Sequence, residues 1–217
     1  MILPTDFSIR TYRGGHDKNF SYLVGPLGGG AGFLIDAATD PAPILADAQK
    51  DGTQIQHILL THTHADHLVS IPDILEATDA KVSAFRTNIE GIEAPIQALT
   101  HGSQIECGKL KIEVLHTPGH AEDHLCFLLQ RHLFTGDTLF IGRTGRTVFP
   151  GSDTSTLFRS LQLLSSLPED TRIYPGHDYG EQASDILGAQ RQNNPFLRAQ
   201  TEAEFLQVMA DYEASRG

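Results

Sequence analysis

The sequence predicts a mixed α/β fold whose strands deliver polar side chains to one edge. Three observations carry this expectation. Short β-type runs dominate residues 1–140, helical spacing takes over from residue 154, and His62, His120, Asp137 and His177 each fall just past a run with strand character. Strand ends at one sheet edge are where a rigid scaffold can converge side chains from distant parts of a chain.

The elements follow in order. Phe20-Ser21-Tyr22-Leu23-Val24 and Gly32-Phe33-Leu34-Ile35-Asp36 flank Pro26-Leu27-Gly28-Gly29-Gly30, which reads as a hairpin with a glycine-rich turn. No helix follows these glycines directly, which argues against a phosphate cradle. Residues 41–50 carry Ile44, Leu45 and Ala48 at the spacing of a short amphipathic helix. Residues 55–60 form a strand that ends at Thr61-His62-Thr63-His64-Ala65-Asp66-His67. A helix over 69–77 and a strand over 81–85 come next. Leu110-Lys111-Ile112-Glu113-Val114-Leu115 alternates apolar with polar and then meets His116-Thr117-Pro118-Gly119-His120. Residues 124–129 and Leu133-Phe134 are strands, the latter ending at Thr135-Gly136-Asp137. Leu157, Phe158, Leu161 and Leu164 mark a helix over 154–166. Arg172-Ile173-Tyr174 is a strand that ends at Pro175-Gly176-His177-Asp178, and helices are expected over 182–190 and 202–212. No linker or repeat breaks the pattern, so one domain over residues 1–217 is expected, with short C-terminal helices from about residue 180.

Composition narrows the function classes. The chain is 40% apolar and 20% charged, ordinary for a soluble globular protein, and no apolar run approaches a membrane span of ~20 residues. The opening Met1-Ile2-Leu3-Pro4-Thr5-Asp6 lacks a basic region before an apolar core, so no secretory signal is expected. Two cysteines, Cys107 and Cys126, make no disulfide framework and suit a reducing cytoplasm. The net charge of −11 and the lack of a basic stripe argue against nucleic acid as substrate, while leaving room for a small anion held by one or two arginines.

The densest chemical signal is the run from Thr61 to His67, which puts three imidazoles and a carboxylate into six residues, His62 to His67. Imidazole suits zinc, iron, copper and nickel, and an added carboxylate is usual in catalytic sites. Residues i and i+2 of an extended segment point the same way, so His62 and His64 can grip one ion. Asp66 and His67 lie beyond, where they reach a second ion or brace the first. His120 follows Thr-Pro-Gly, Asp137 follows Gly, and His177 follows Pro-Gly, three later loops of the same style. His16, His57, His101, His116, His124 and His132 read as structural or surface residues, with His116 and His124 placed to orient ligands.

His-x-His-x-Asp-His, Thr-Pro-Gly-His, Thr-Gly-Asp-Thr-Leu-Phe and Tyr-Pro-Gly-His-Asp-Tyr, in this order, resemble the metallo-β-lactamase superfamily. The resemblance implies a four-layer αββα sandwich with the metal site at one edge between two β-sheets. It implies one ion held by His62, His64 and His120, a second by Asp66, His67 and His177, and Asp137 bridging them. Gly145-Arg146-Thr147, Leu167-Pro168-Glu169-Asp170-Thr171, His177-Asp178-Tyr179 and Asn194-Pro195-Phe196-Leu197 are similar to glyoxalase II, which hydrolyses S-acylglutathione thioesters. On that resemblance Arg146 and Tyr179 bind the glutathione moiety. Thr63 and Ala65 depart from the glyoxalase II run, and its C-terminal helical domain is reduced here to residue 201 onward. Ala65-Asp66-His67 with Gly145-Arg146-Thr147 is more similar to the sister persulfide dioxygenases, which use a single iron on the equivalents of His62, His120 and Asp137.

The leading expectation is therefore a cytoplasmic dinuclear metallohydrolase acting on a thioester. Its cofactors are two divalent ions, zinc first, with iron or manganese as substitutes. The ions lower the pKa of a shared water from ~15.7 toward ~7, and Asp66 serves as catalytic residue by holding the nucleophile. The partner is a small thiol-derived substrate, a glutathione conjugate, with neither nucleic acid nor membrane involved and a homodimer as the assembly considered. A single-iron dioxygenase acting on glutathione persulfide is the second reading. A nuclease of the same superfamily is the third, disfavoured by the acidic balance.

Overall fold

The computed structural model describes residues 6–215; the N-terminal expectation concerns residues 1–5, which lie outside the described residues. The chain opens with β1 (Phe7–Gly14), β2 (Asn19–Pro26) and β3 (Gly30–Ile35), an antiparallel meander. Helix α1 (Pro41–Asp51) follows. Its start is fixed by Asp40, whose carboxylate accepts from the Ala42 N–H, and its end by Gly52 in the left-handed region. It returns the chain so that β4 (Thr53–Leu59) pairs with β3 in parallel, as a helical crossover permits. A single 3₁₀ turn, Ala65–His67, and α2 (Ile71–Ala77) lead to β5 (Lys81–Ala84) and β6 (Ile96–Ala98), which complete a six-stranded sheet in the order β1-β2-β3-β4-β5-β6.

The second sheet is built from β7 (Gln104–Cys107), β8 (Leu110–His116), β9 (Leu125–Leu129) and β10 (His132–Gly136). A small hairpin, β11 (Leu139–Phe140) and β12 (Arg143–Thr144), precedes α3 (Thr154–Ser165). β13 (Arg172–Pro175) then pairs in parallel with β10, and β14 (Asp185–Ile186) pairs with β13, giving the order β14-β13-β10-β9-β8-β7. Helices α4 (Leu187–Asn193), α5 (Pro195–Arg198) and α6 (Glu202–Ala214) follow, the last opened by a capping box between Thr201 and Glu204.

Strand alternation assigns the faces. Tyr22 and Val24, Phe33 and Ile35, Ile112 and Val114, and Phe127 and Phe134 are buried between the two sheets. Their neighbours turn the other way: Leu23, Leu34 and Ile58 meet Ile44 of α1 and Ile71 and Ile74 of α2. Leu115, Cys126, Leu133 and Ile173 meet Leu157 and Leu161 of α3 and Phe205 and Met209 of α6. The result is the four-layer αββα arrangement. Both sheets are covered on their outer faces by helices, which explains why β9, Leu125–Leu129, reads as a continuous apolar run.

Three local expectations change. The helix expected over 182–190 starts at Leu187, because residues 185–186 pair with β13 and the Asp185 carboxylate accepts from the Ile186 N–H, a local bond that competes with helix. The helix expected over 69–77 starts at Ile71, and Val69 is exposed. β1 escapes the sequence pattern because Ser8, Arg10, Thr11 and Arg13 mask Phe7 and Ile9, as befits a half-solvated edge strand. Cys107 and Cys126 are buried free thiols. Among the described residues no helix is long and apolar enough to cross a membrane.

Candidate metal centre

The strand-end residues converge. His62 and His64 follow β4, His120 follows β8, Asp137 follows β10 and His177 follows β13, so both sheets contribute to one edge. His62, His64 and His120 bring ligand atoms within 4.8 Å of one another, and so do Asp66, His67 and His177. Asp137 stands between the sets. Its Oδ2 lies 3.5 Å from His120 Nε2 and 3.3 Å from His177 Nε2, while its Oδ1 lies 3.5 Å from His67 Nε2. All seven ligands expected from the sequence are thus brought together.

Four of the five imidazoles, those of His62, His67, His120 and His177, are turned by the hydrogen bond at the other nitrogen. His120 Nδ1 donates to the Arg146 carbonyl at 2.8 Å, and His177 Nδ1 to the Asp17 carbonyl at 2.8 Å. His67 Nδ1 donates to Asp36 Oδ2 at 2.9 Å. Thr61 Oγ1 gives its proton to Asp36 Oδ2 at 2.8 Å and so accepts from His62 Nδ1 at 3.0 Å. These bonds fix the proton on Nδ1 and leave the Nε2 lone pairs of His62, His67, His120 and His177 facing inward. Asp66 is anchored by Asn19 Nδ2 at 2.8 Å. His124 Nε2 accepts the Asp137 N–H at 2.9 Å, and its Nδ1 donates to Thr117 and Thr138 hydroxyls, so this histidine braces Asp137, as the sequence suggested.

The donor set fits divalent ions on two observations. His62 Nε2 and Asp137 Oδ1 are buried side-chain atoms without a hydrogen-bond partner, which costs free energy unless something charged meets them. His64 Nδ1 lies 3.1 Å from His120 Nε2, and His67 Nε2 lies 3.2 Å from His177 Nε2. Two nitrogens bound to one tetrahedral ion at ~2.05 Å stand ~3.3 Å apart, so both spacings suit a shared cation.

Electrostatics agree. Burial, aided by His67, pushes His62 well below the ordinary histidine range, and burial does the same to His124. Burial also pushes His67 down, but Asp36, Asp137 and Asp66 outweigh it and raise the imidazole to about 9. Burial pushes Asp137 up, yet the neighbouring His177 and His67 hold it well below the usual carboxylate range. The site therefore keeps its carboxylates charged in spite of burial.

A cavity of about 400 Å³ opens over these ligands, walled by Phe140, Phe149, Arg146, Tyr179 and Tyr212. Phe149 sets its ring edge-on to His64 and His120 at 5.3 and 5.5 Å. Arg146 and Tyr179, the two expected substrate residues, both line it, but each is already engaged. The Arg146 guanidinium pairs with Glu213, and the Tyr179 hydroxyl donates to the Asp17 carboxylate while its ring stacks on His177. His116 does not reach the ligands; its ring stacks on Phe85 and its Nε2 donates to the Glu122 carbonyl. Sequence reasoning missed Asp36, Asn19, Asp17 and Glu213. Asp36 was legible in principle, since it ends a strand as the metal ligands do.

Fold and ligand sets together define a metal-binding protein built on an αββα sandwich. Residues 14–177 match the metallo-beta-lactamase superfamily, and the chain belongs to that superfamily. A hydroxyacylglutathione hydrolase of Rhodopseudomonas palustris (strain BisB18) is 38% identical over 183 residues, spanning 83% of this chain and 71% of that protein. The crystal structure of ETHE1 from Myxococcus xanthus superposes with a TM-score of 0.85 at 29% identity, covering 94% of this chain and 91% of that one. TTHA1623 in a di-iron-bound form superposes with a TM-score of 0.75 at 33% identity, covering 87% of this chain and 100% of that one.

Proposed function

We propose that this chain is a two-ion thioesterase of the glyoxalase II type, cleaving S-acylglutathione, a hydroxyacylglutathione in the first place. The observation that carries the two-ion part is the pair of ligand sets on either side of Asp137, His62-His64-His120 and Asp66-His67-His177. The related TTHA1623, 33% identical, was crystallised in a di-iron-bound form, which supports two ions here. The thioester part is supported by the hydroxyacylglutathione hydrolase relatives. Bound ions supply a hydroxide nucleophile at neutral pH and a Lewis acid for the thioester carbonyl.

The chain's own residues set up the rest. Asp137 holds the two ligand sets together, with its backbone fixed by His124. Asp66, pinned by Asn19, keeps its carboxylate at the cavity, where it accepts a hydrogen bond from the nucleophile and orients it toward the substrate. Phe140 and Phe149 offer apolar walls for the acyl group. A thiolate leaves readily, so no strong general acid is needed. A single iron on His62, His120 and Asp137 would not use the second ligand set of Asp66, His67 and His177, which favours the two-ion reading.

The test is elemental analysis of chelator-free protein followed by thiol release from a 2-hydroxyacyl glutathione thioester. About two ions per chain and metal-dependent thiol release are expected. One iron per chain with oxygen uptake on glutathione persulfide, and no thioester turnover, would overturn the proposal.

A further inference from the structure

The cation expected to receive the substrate's anionic end is already taken. Arg146 Nε and Nη2 both reach Glu213 Oε2, at 2.7 and 2.6 Å, from α6. Charge-assisted bonds of this length are the strong kind, and a free carboxylate from solution would have to displace one already in place. A second arginine stands on the same hairpin. The Arg143 guanidinium carbon lies 5.6 Å from the Tyr179 ring centroid, and among the described residues Arg143 makes no ion pair. Its backbone is rigid: the fully buried Asn194 donates to the carbonyls of Phe140 and Arg143 at 3.3 and 3.1 Å, and the Gly142 N–H donates to Gln190 Oε1 at 2.8 Å.

Tyr179 is a shared wall. One side lines the cavity over the metal ligands, and the other lines a second cavity of about 540 Å³ that includes Arg143, Gln182, Asn193, Glu181 and Asp185. We propose that the carboxylate-bearing end of the thiol carrier crosses Tyr179 and binds Arg143 in this second cavity, while Glu213 keeps Arg146 out of carrier binding. The planar guanidinium matches a carboxylate bidentately, and Gln182 and Asn193 add amide donors. Glu181 and Asp185 in the same cavity suit a tail that carries an ammonium beside its carboxylate, as an amino-acid end does. An extended tripeptide reaches about 10 Å, long enough to leave one cavity while its sulfur stays in the other. This inference rests on the thioesterase reading above.

The experiment compares metal-loaded wild type, Arg143→Gln and Arg143→Lys on two substrates, a 2-hydroxyacyl glutathione thioester and the same acyl group on neutral N-acetylcysteamine. Arg143→Gln is expected to raise KM for the glutathione thioester about tenfold or more, with kcat held and with KM for the neutral thioester unmoved. Arg143→Lys, which keeps the charge and loses the fork, is expected to fall between. An unchanged KM in Arg143→Gln, or an equal rise for both substrates, overturns the assignment of Arg143 while leaving the thioesterase reading intact. Wild type that carries its ions and turns over neither thioester overturns that reading, and this inference with it.

Discussion

At the scale of single residues, Asp36 organises the site without touching the cavity. Its backbone sits in the left-handed region, at a φ of 51°, which is uncommon for a side chain other than glycine. The cost is offset by three bonds: Oδ1 accepts the Thr61 N–H at 2.8 Å, and Oδ2 accepts from the Thr61 hydroxyl and from His67 Nδ1. Through Thr61 it also sets the tautomer of His62, so one carboxylate steers a ligand in each set. Replacing such a partner costs about 10–100-fold in metal affinity. Asp36→Asn is expected to show a loss of that size in chelator competition, with an unaltered far-UV spectrum; undiminished affinity would show that Asp36 is only a fold residue. Gly176 makes a second case. A Cβ there would lie 2.3 Å from Asp137 Oδ1 and 3.0 Å from His67 Cε1, so Gly176→Ala must push the central carboxylate aside. Metal content below that of wild type, at the same refolding yield, is the expected outcome.

At the scale of elements, the two sheets are clasped where β2 meets β13. The buried Tyr22 hydroxyl donates to the Pro175 carbonyl at 2.6 Å, the Phe20 N–H donates to the Gly176 carbonyl at 2.7 Å, and the Asp178 N–H donates to the Lys18 carbonyl at 2.9 Å. The clasp holds the loop that presents His177. Tyr22→Phe removes one donor and leaves the Pro175 carbonyl buried without it, which costs about 1–3 kcal/mol. The urea midpoint of the metal-saturated variant is expected to fall with an unchanged slope; an unmoved midpoint would mean that the carbonyl finds another donor. This scale also shows what the sequence could reveal. Ligands at strand ends are legible because alternation marks where β8 stops, and Pro-Gly or Thr-Gly marks the loop that follows β8, β10 and β13. The clasp was not, because a tyrosine in an apolar run looks like core whichever carbonyl it finds. Glu213 was not, because it sits 67 residues from Arg146 and nothing local in either segment signals the pairing. β14 was missed because two residues pair with a neighbouring strand against their own helical periodicity.

At the scale of the whole molecule, the two ligand sets join the two halves of the fold. His62, His64, Asp66 and His67 come from the first sheet's loops, and His120, Asp137 and His177 from those of the second, so neither set closes without both sheets. Unfolding scatters these ligands, and the ions therefore bind the folded chain in preference. Binding stabilises by RT ln(1 + [L]/Kd), about 4 kcal/mol at a thousandfold excess over Kd. For a chain of this size each kcal/mol shifts Tm by about 2–4 °C. Removing the ions leaves His62 Nε2 and Asp137 Oδ1 buried without partners, a further source of instability at the sheet edge. Exhaustive chelation is thus expected to lower Tm by about 8–16 °C, and added zinc, iron or manganese to restore it in proportion to occupancy. In the variant Asp137→Ala the gap between chelated and metal-loaded Tm should close, since the residue that spans both sets is gone. A gap that persists there would show that the ions stabilise the fold through one ligand set alone.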